Sequence, residues 1–311
     1  LIIIIALLFS SLFWNIVGNR AILLMYLTTV WLGIFGFLDD YLKNFVKSKK
    51  GLLPKYKLWG QISIGLLLTL AIYFGSSAGD KVTALQIPFL KNTYIELGWF
   101  FIPFVVFFIT GTSNAVNLTD GLDGLAAGML AFSALGLGVM SYLKGNFKAA
   151  DYLNLEYLAN AGELTVFISA LMGTLIGFLW FNSHPAQVFM GDTGSLTIGG
   201  IIAVAALCIH KELLLPILCG VFLVESVSVI CQRFYYKLGK RKGVRQRLWK
   251  RTPIHDHFRT SMAQVQKNDP GSTVRFPGND NKLQFETKIT LRSWIISIGL
   301  AALTILTLKI R

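Results

Sequence analysis

LTVFISALMGTLIGFLWFNSHPAQVFM, Leu164 to Met190, contains no Asp, Glu, Lys or Arg, and its reading decides the fold. A helix needs roughly 20 apolar residues to cross the hydrocarbon core of a bilayer. Lipid offers the backbone no hydrogen-bond partners, so spans are helices or strands of closed barrels. The apolar run is continuous rather than alternating, which argues for a helix. The same pattern extends outward in both directions. Charge is also missing from Ala21 to Leu38, Leu58 to Gly79, Leu97 to Thr119, Gly124 to Leu143, Thr193 to Ile209 and Ser293 to Leu308. The 311 residues are 54% hydrophobic and 14% charged, against about 25% charged in soluble domains. This composition predicts an all-α polytopic membrane protein.

Nine transmembrane helices are expected, centred near residues 7, 30, 67, 107, 133, 173, 201, 222 and 300. Residues 1–311 form one transmembrane domain, with a long polar loop over 232–292. The first apolar run, Leu1 to Trp14, is short and has no charged leader. It reads as a helix whose beginning is missing from the chain. Cys208, Cys219 and Cys231 lie in or beside apolar runs without metal-ligand spacing, and read as small packing residues.

Lysines and arginines collect in cytoplasmic loops. Taken alternately, one set of loops comprises Asp39 to Lys57, Asn114 to Asp123, Asn182 to Asp192 and Gln232 to Arg292. It carries 21 of the 29 basic residues, so it is expected to be cytoplasmic, with Leu1 on that side and Arg311 opposite. The other loops hold Asp80, Glu96, Asp151, Glu156, Glu163 and Glu212. The basic stretch of Lys237, Lys240, Arg241, Lys242, Arg245, Arg247, Lys250 and Arg251 reads mostly as a solvated face near anionic lipid. Asp269 to Ser272 and Pro277 to Asp280 read as turns.

Each cytoplasmic loop holds a compact polar group. Asp39 and Asp40 end one span; adjacent helical residues point about 100° apart, so they are expected to do separate jobs. A structural pair of carboxylates answered by Lys43 and Lys47 is the competing reading. Asn114, Asn117, Asp120 and Asp123 recur every third residue, so a helix would stack them on one side. Gly121 and Gly124 would let a ligand approach the backbone, although an Asp N-cap explains one of these acids. Asp192 begins another span, either as an N-cap or where helix N–H groups attract phosphate. There it could hold a cation while Gly194 and Ser195 offer N–H groups.

Pro253-Ile254-His255-Asp256-His257-Phe258 is the fourth group. Its two histidines lack further soft ligands for zinc, and suit phosphate binding or proton transfer. Acid-rich loops with few thiols suit a hard cation, and Mg2+ binds through a few carboxylates plus substrate phosphates. Lys43, Lys47 and Lys55 supply positive charge for those phosphates. Such equipment serves phosphoryl transfer at a membrane surface. Glu225 stands apart within Leu213 to Cys231, as either a functional carboxylate or a neutral one bonded to a neighbouring helix.

These strings, with Gly36-Phe37-Leu38-Asp39-Asp40-Tyr41-Leu42-Lys43, Asn114 to Gly124 and Phe189-Met190-Gly191-Asp192-Thr193-Gly194-Ser195, resemble the MraY family of phospho-N-acetylmuramoyl-pentapeptide transferases. That family lies within the polyprenyl-phosphate sugar-1-phosphate transferase superfamily. The resemblance runs from Leu1 to Arg311. It implies transfer of phospho-MurNAc-pentapeptide from its UDP carrier to undecaprenyl phosphate with Mg2+, giving lipid I and UMP in peptidoglycan synthesis. It implies a multi-pass protein of the bacterial cytoplasmic membrane, a possible homodimer, with no nucleic acid as partner. It makes Asp192 the Mg2+ ligand, and Asp39 and Asp40 the activators of the lipid phosphate or a nucleophile. Asn117, Asp120, Asp123, Asn182 and Phe189 would line the nucleotide site, Phe189 stacking on uracil. Lys43, Lys47, Lys55, His255 and His257 would face phosphates or sugar, His255 among the catalytic residues.

Two departures stand out. The family has ten spans and a loop before the second that this chain lacks, and Asp256 interrupts the family's triple histidine. A polyprenyl-phosphate GlcNAc-1-phosphate transferase would share the acidic loops, though Pro253 to Phe258 and Lys288 to Trp294 favour the muramoyl reading. A transporter or flippase would need ionisable residues near the midplane, where Glu225 alone qualifies.

Overall fold

The computed structural model describes residues 1–47, 51–75, 83–90, 93–241, 243–280 and 283–309. Asp80, Lys242 and Arg311 of the sequence reading lie outside these residues. The chain is a bundle of long helices: α1 (Ile2–Trp14), α2 (Arg20–Asn44), α3 (Pro54–Gly75), α4 (Phe101–Thr119), α5 (Leu125–Gly145), α7 (Ala161–Asn182), α8 (Gly191–Cys208), α10 (Gly220–Arg241) and α13 (Glu286–Leu306). Short elements join them: hairpin β1 (Ala84–Gln86) and β2 (Tyr94–Glu96), helices α6 (Phe147–Tyr152), α9 (Leu215–Leu218), α11 (Ile254–Arg259) and α12 (Met262–Asn268), and the parallel pair β3 (Gln246–Arg247) and β4 (Thr273–Val274). Among the described residues seven helices are long and apolar enough to cross a membrane, as a multi-pass membrane protein requires.

Two of the nine expected spans differ from simple crossings. Helix α1 has 13 residues, short of the roughly 20 a full crossing takes. The run centred near residue 222 is broken, because the segment Glu212–Leu218 and helix α10 meet at 83°. Cys219 between them leaves helical geometry at φ −96°, ψ 28°. Beyond the break, the buried face of α10 carries Glu225, Ser228 and Gln232, and it follows the polar segment that comes after it. Gln232 Oε1 accepts from the backbone N–H groups of Leu248 (2.9 Å) and Trp249 (3.2 Å).

Helix α8 is the axis of the bundle and packs on α2 and α4, while α5 packs on α7 and α13. Most of α8 is buried, and it is rich in Gly and Ala, which lets neighbouring backbones come close. A Cβ added at Gly36 of α2 would lie 2.6 Å from the Asp192 carbonyl oxygen, and one at Gly199 of α8 would lie 2.8 Å from Ser113 Cα of α4. The Ser113 hydroxyl then donates to Leu196 O at 2.8 Å.

The bundle has two polar ends. At one, Asn15 Nδ2 donates to Glu163 O (2.8 Å), Lys144 Nζ to Ile209 O (2.8 Å) and Lys211 Nζ to Gln86 Oε1 (2.6 Å). The His210 ring beside Glu156, with Lys144 behind it, holds that carboxyl down at about 2. The other end gathers the four polar groups of the sequence reading. Asp269, expected in a plain turn, is buried there between Arg245 (3.2 Å) and Arg247 (2.9 Å). Among the described residues the three cysteines are unpaired, and Cys219 is buried against Ser133.

Trp294 of α13 lies over the start of α5, its Nε1 donating to Gly124 O at 3.1 Å. A Cβ at Gly128 would fall 2.2 Å from the indole. Gly128→Ala is therefore expected to cost about 1–3 kcal/mol through overpacking, seen as a lowered thermal midpoint in detergent. An unchanged midpoint would contradict this packing.

Candidate functional site

Gly36 and Asp40 share a face of α2, being four residues apart, so the close crossing at Gly36 delivers Asp40 to the first turn of α8. Asp40 Oδ1 accepts from Asp192 N (3.1 Å); its Oδ2 accepts from Thr193 N (2.8 Å) and Thr193 Oγ1 (2.5 Å). Asp40 thus occupies the N–H groups of Asp192 and Thr193, whereas those that the sequence offers to oxygen belong to Gly194 and Ser195. An anion at a helix N-terminus is favourable, and here it comes from the chain. Gly194 and Ser195 are buried, and Ser195 Oγ donates to Gly191 O.

Asp39, one residue earlier, has a different environment, in keeping with separate jobs for the pair. Its side chain is fully buried, Oδ1 accepting from Leu52 N at 2.7 Å. Oδ2 faces two ammonium groups, Lys43 Nζ at 2.5 Å and Lys57 Nζ at 2.8 Å. Both lysines also reach Asp192 Oδ2, Lys43 at 3.2 Å and Lys57 in closer contact. Asn117 Nδ2 donates to Asp192 Oδ1 (2.9 Å) and to Ser195 Oγ (2.8 Å). Asp39, Asp40 and Asp192 each bring one oxygen within 4.8 Å of the others.

A buried carboxylate is costly unless a cation answers it, and the two ammonium groups supply that charge. The donors are all oxygens, as a hard divalent cation prefers. The residues present therefore fit Mg2+, with the lysine ammoniums standing where positive charge is needed. A second group of donors, Asp123, His184 and Glu286, also lies within 4.8 Å. There the Asp123 and His184 atoms are paired at 3.1 Å, and Glu286 is bound by Arg259.

Beside the triad of acids is a cleft of about 300 Å3, lined by Asn117, Asp120, Asp123, Asn182, Phe189 and Asp192 among others. Phe189 stands on its wall with 74% of its surface exposed. Asn182 ties two polar segments together: its Oδ1 accepts from Gly124 N (3.2 Å) and its Nδ2 donates to Val188 O (2.8 Å). Burial first, then the nearby Asp192 and Asp40 charges, push the Asp120 carboxyl up to about 7.

Of the three-residue repeat only Asn114 and Asn117 lie in a helix, because α4 ends at Thr119 before Asp120 and Asp123. Asn114 turns away and donates to Gln61 Oε1 at 2.8 Å. Gly121 lines the cleft, and both glycines also leave room for neighbouring protein groups. A Cβ at Gly121 would sit 2.6 Å from His255 Nε2, and one at Gly124 would touch Leu179 and Trp294.

His255 is buried, its Nδ1 lying 3.2 Å from Glu225 Oε2. Glu225, isolated in the sequence, is therefore the residue that seats His255. His257 lies elsewhere: its Nδ1 accepts from Lys250 N at 3.3 Å, and its other nitrogen lies toward Gly278. Burial, then Lys250, lower its pKa. Asp256 is neutralised by Arg251 (3.0 Å) and Arg259 (2.7 Å). Lys47 and Lys55 pair with no acid among the described residues, and Lys55 lies over the Tyr56 ring. Lys57 does reach the acids and went unnamed in the sequence reading. Its position two residues after Lys55, in the first turn of α3, was the available signal.

The family model of glycosyl transferase family 4 matches residues 22–210. The chain is 50% identical to the phospho-N-acetylmuramoyl-pentapeptide-transferase of Bacteroides thetaiotaomicron, over 100% of this chain and 81% of that protein. It is 47% identical to the protein of that name from Phocaeicola vulgatus, over 100% and 82%. The one from Chloroherpeton thalassium is 42% identical, over 100% and 79%.

Asp120 holds its proton more tightly in the folded chain than in the unfolded one, where its value is the ordinary 3.8. Its contribution to stability is complete below that value and is withdrawn as pH rises through about 7. In metal-free detergent solution the thermal midpoint is expected to fall across this window, and Asp120→Asn to flatten the fall. An equally steep profile in the variant would contradict the assignment.

Proposed function

The chain belongs to glycosyl transferase family 4, and on that premise we propose that it transfers phospho-MurNAc-pentapeptide from UDP-MurNAc-pentapeptide to undecaprenyl phosphate in peptidoglycan synthesis. In the reaction a phosphate oxygen of the lipid bonds to the phosphorus carrying the sugar. The bond from that phosphorus to the UMP oxygen breaks, UMP leaves, and lipid I remains. The observation that carries the reading is the meeting of Asp39, Asp40 and Asp192 beside a cleft lined by Asn117, Asp120, Asp123, Asn182 and Phe189.

Asp192 would hold Mg2+ with help from Asp39 and Asp40, and the ion would neutralise diphosphate charge. Lys43 and Lys57 bind phosphate oxygens when they turn from the acids, while Lys47 and Lys55 supply charge at the rim. Phe189 stacks on uracil, and Asn117, Asp120, Asp123 and Asn182 border the nucleotide. His255, seated by Glu225, and His257 face the phosphates or sugar. Direct in-line attack is favoured over a covalent phospho-enzyme: Asp39 is fully buried, and three donors hold Asp40. The long apolar helices cross the bacterial cytoplasmic membrane, with this site on the cytoplasmic face as the basic loops suggest. A homodimer is part of the same proposal. A transporter reading loses its motive, since Glu225 is engaged by His255.

Two measurements test this. Purified protein with Mg2+ and undecaprenyl phosphate is expected to release UMP from UDP-MurNAc-pentapeptide and not from UDP-GlcNAc; release from UDP-GlcNAc alone would reverse the assignment. Asp192→Asn is expected to lower turnover by at least about 100-fold, the scale on which removal of a key electrostatic group acts, with the thermal midpoint retained. Wild-type-like turnover in that variant would remove Asp192 from the metal.

A further inference from the structure

The segment between α7 and α8 brings one more titratable side chain to the cleft. His184 Nδ1 lies 3.1 Å from Asp123 Oδ2, and the Ala186 N–H donates to the same oxygen at 3.0 Å. Among the described residues both protein donors fall on Oδ2, so Oδ1 keeps its acceptor capacity. Asp123 itself lines the cleft. Glu286 brings a carboxylate oxygen within 4.8 Å of both groups and is bound by Arg259. A ring nitrogen facing a carboxylate oxygen at hydrogen-bond distance must carry a proton, because a bare lone pair would be repelled. Nδ1–H is therefore the donor.

We propose that His184 is a positioning residue, whose Nδ1–H holds the Asp123 carboxylate so that Oδ1 is presented to the nucleotide as a fixed acceptor. Ala186 N–H alone leaves the carboxylate free to swing about its last torsion, and that freedom must be given up whenever a ligand binds. The imidazole is the second point of attachment. This rests on the reading above, in which Asp123 borders the nucleotide.

The test uses UMP as probe, measured by calorimetry, together with steady-state kinetics on the UDP substrate. His184→Ala is expected to weaken UMP binding and raise KM about three- to tenfold, the range for one ordinary hydrogen bond, with kcat within about twofold. His184→Asn places an N–H donor on the γ-carbon, where Nδ1 stands in histidine, and is expected to restore both to within about twofold of wild type. His184→Gln moves that donor one bond outward and is expected to resemble Ala, so the contrast with Asn survives even if the Ala variant folds poorly. Equal UMP affinity in wild type and His184→Gln, or an Asn variant as weak as the Gln one, would overturn the proposal. Failure of the wild type itself to bind UMP would instead sink the functional reading.

Discussion

The close crossing of α2 on the first turn of α8, possible only because residue 36 is glycine, is the constraint on which the site depends. A Cβ at Gly36 would lie 2.6 Å from both Asp192 O and Thr193 Cα. With backbones that near, Asp40 reaches the open end of α8 and Asp39 is pressed beneath it. On the far side of α8, Gly199 against Ser113 draws α4 in, so that Asn117 meets Asp192. The two contacts differ in position along α8, but both work by omitting a side chain. A single methyl group at either would push apart oxygens contributed by helices remote in the chain.

That geometry creates an electrostatic demand. Asp39 is fully buried, and Asp40, Asp192 and Asp120 crowd beside it, so positive charge must be supplied. Lys43 comes from the next turn of α2 and Lys57 from the start of α3, and the two ammonium groups bridge Asp39 and Asp192. In the proposed function a metal ion would take over that charge while the lysines turn to phosphate. Asp120 has no such cation among the described residues, and burial first, then the nearby Asp192 and Asp40 charges, raises its pKa. The break at Cys219 serves the same end of the molecule. It frees α10 to bring Glu225 under His255, so a carboxylate that would be costly in mid-membrane is paired with a buried imidazole.

Much of this was legible in the sequence. Charge-free windows located the helices, because lipid admits almost nothing else, and the loop groups Asp39-Asp40, Asn117 to Asp123, Asp192 and His255 were singled out as the polar content of one end. The resemblance carried by those strings agrees with the family match. Less legible was the use to which each residue is put. Lys55 was named and Lys57 was not, since only helix rotation at the start of α3 separates them. Gly121 was read as an opening for ligand, and it does line the cleft, but that His255, a residue far along the chain, packs against it was not visible. The start of α8 was offered to phosphate, and there Asp40 holds the N–H groups of Asp192 and Thr193.

By itself, then, the sequence determined the membrane class, the helix positions, the oxygen-rich chemistry and the end of the bundle where it gathers. Each of these follows from the local density of apolar and charged groups. Only the tertiary structure decided the pairings: Asp40 with the start of α8, Lys57 with Asp39 and Asp192, Glu225 with His255, and His184 with Asp123. Those depend on how closely helices cross and how far they rotate about their axes. Backbone contact at small residues sets both, between segments that chain order leaves far apart.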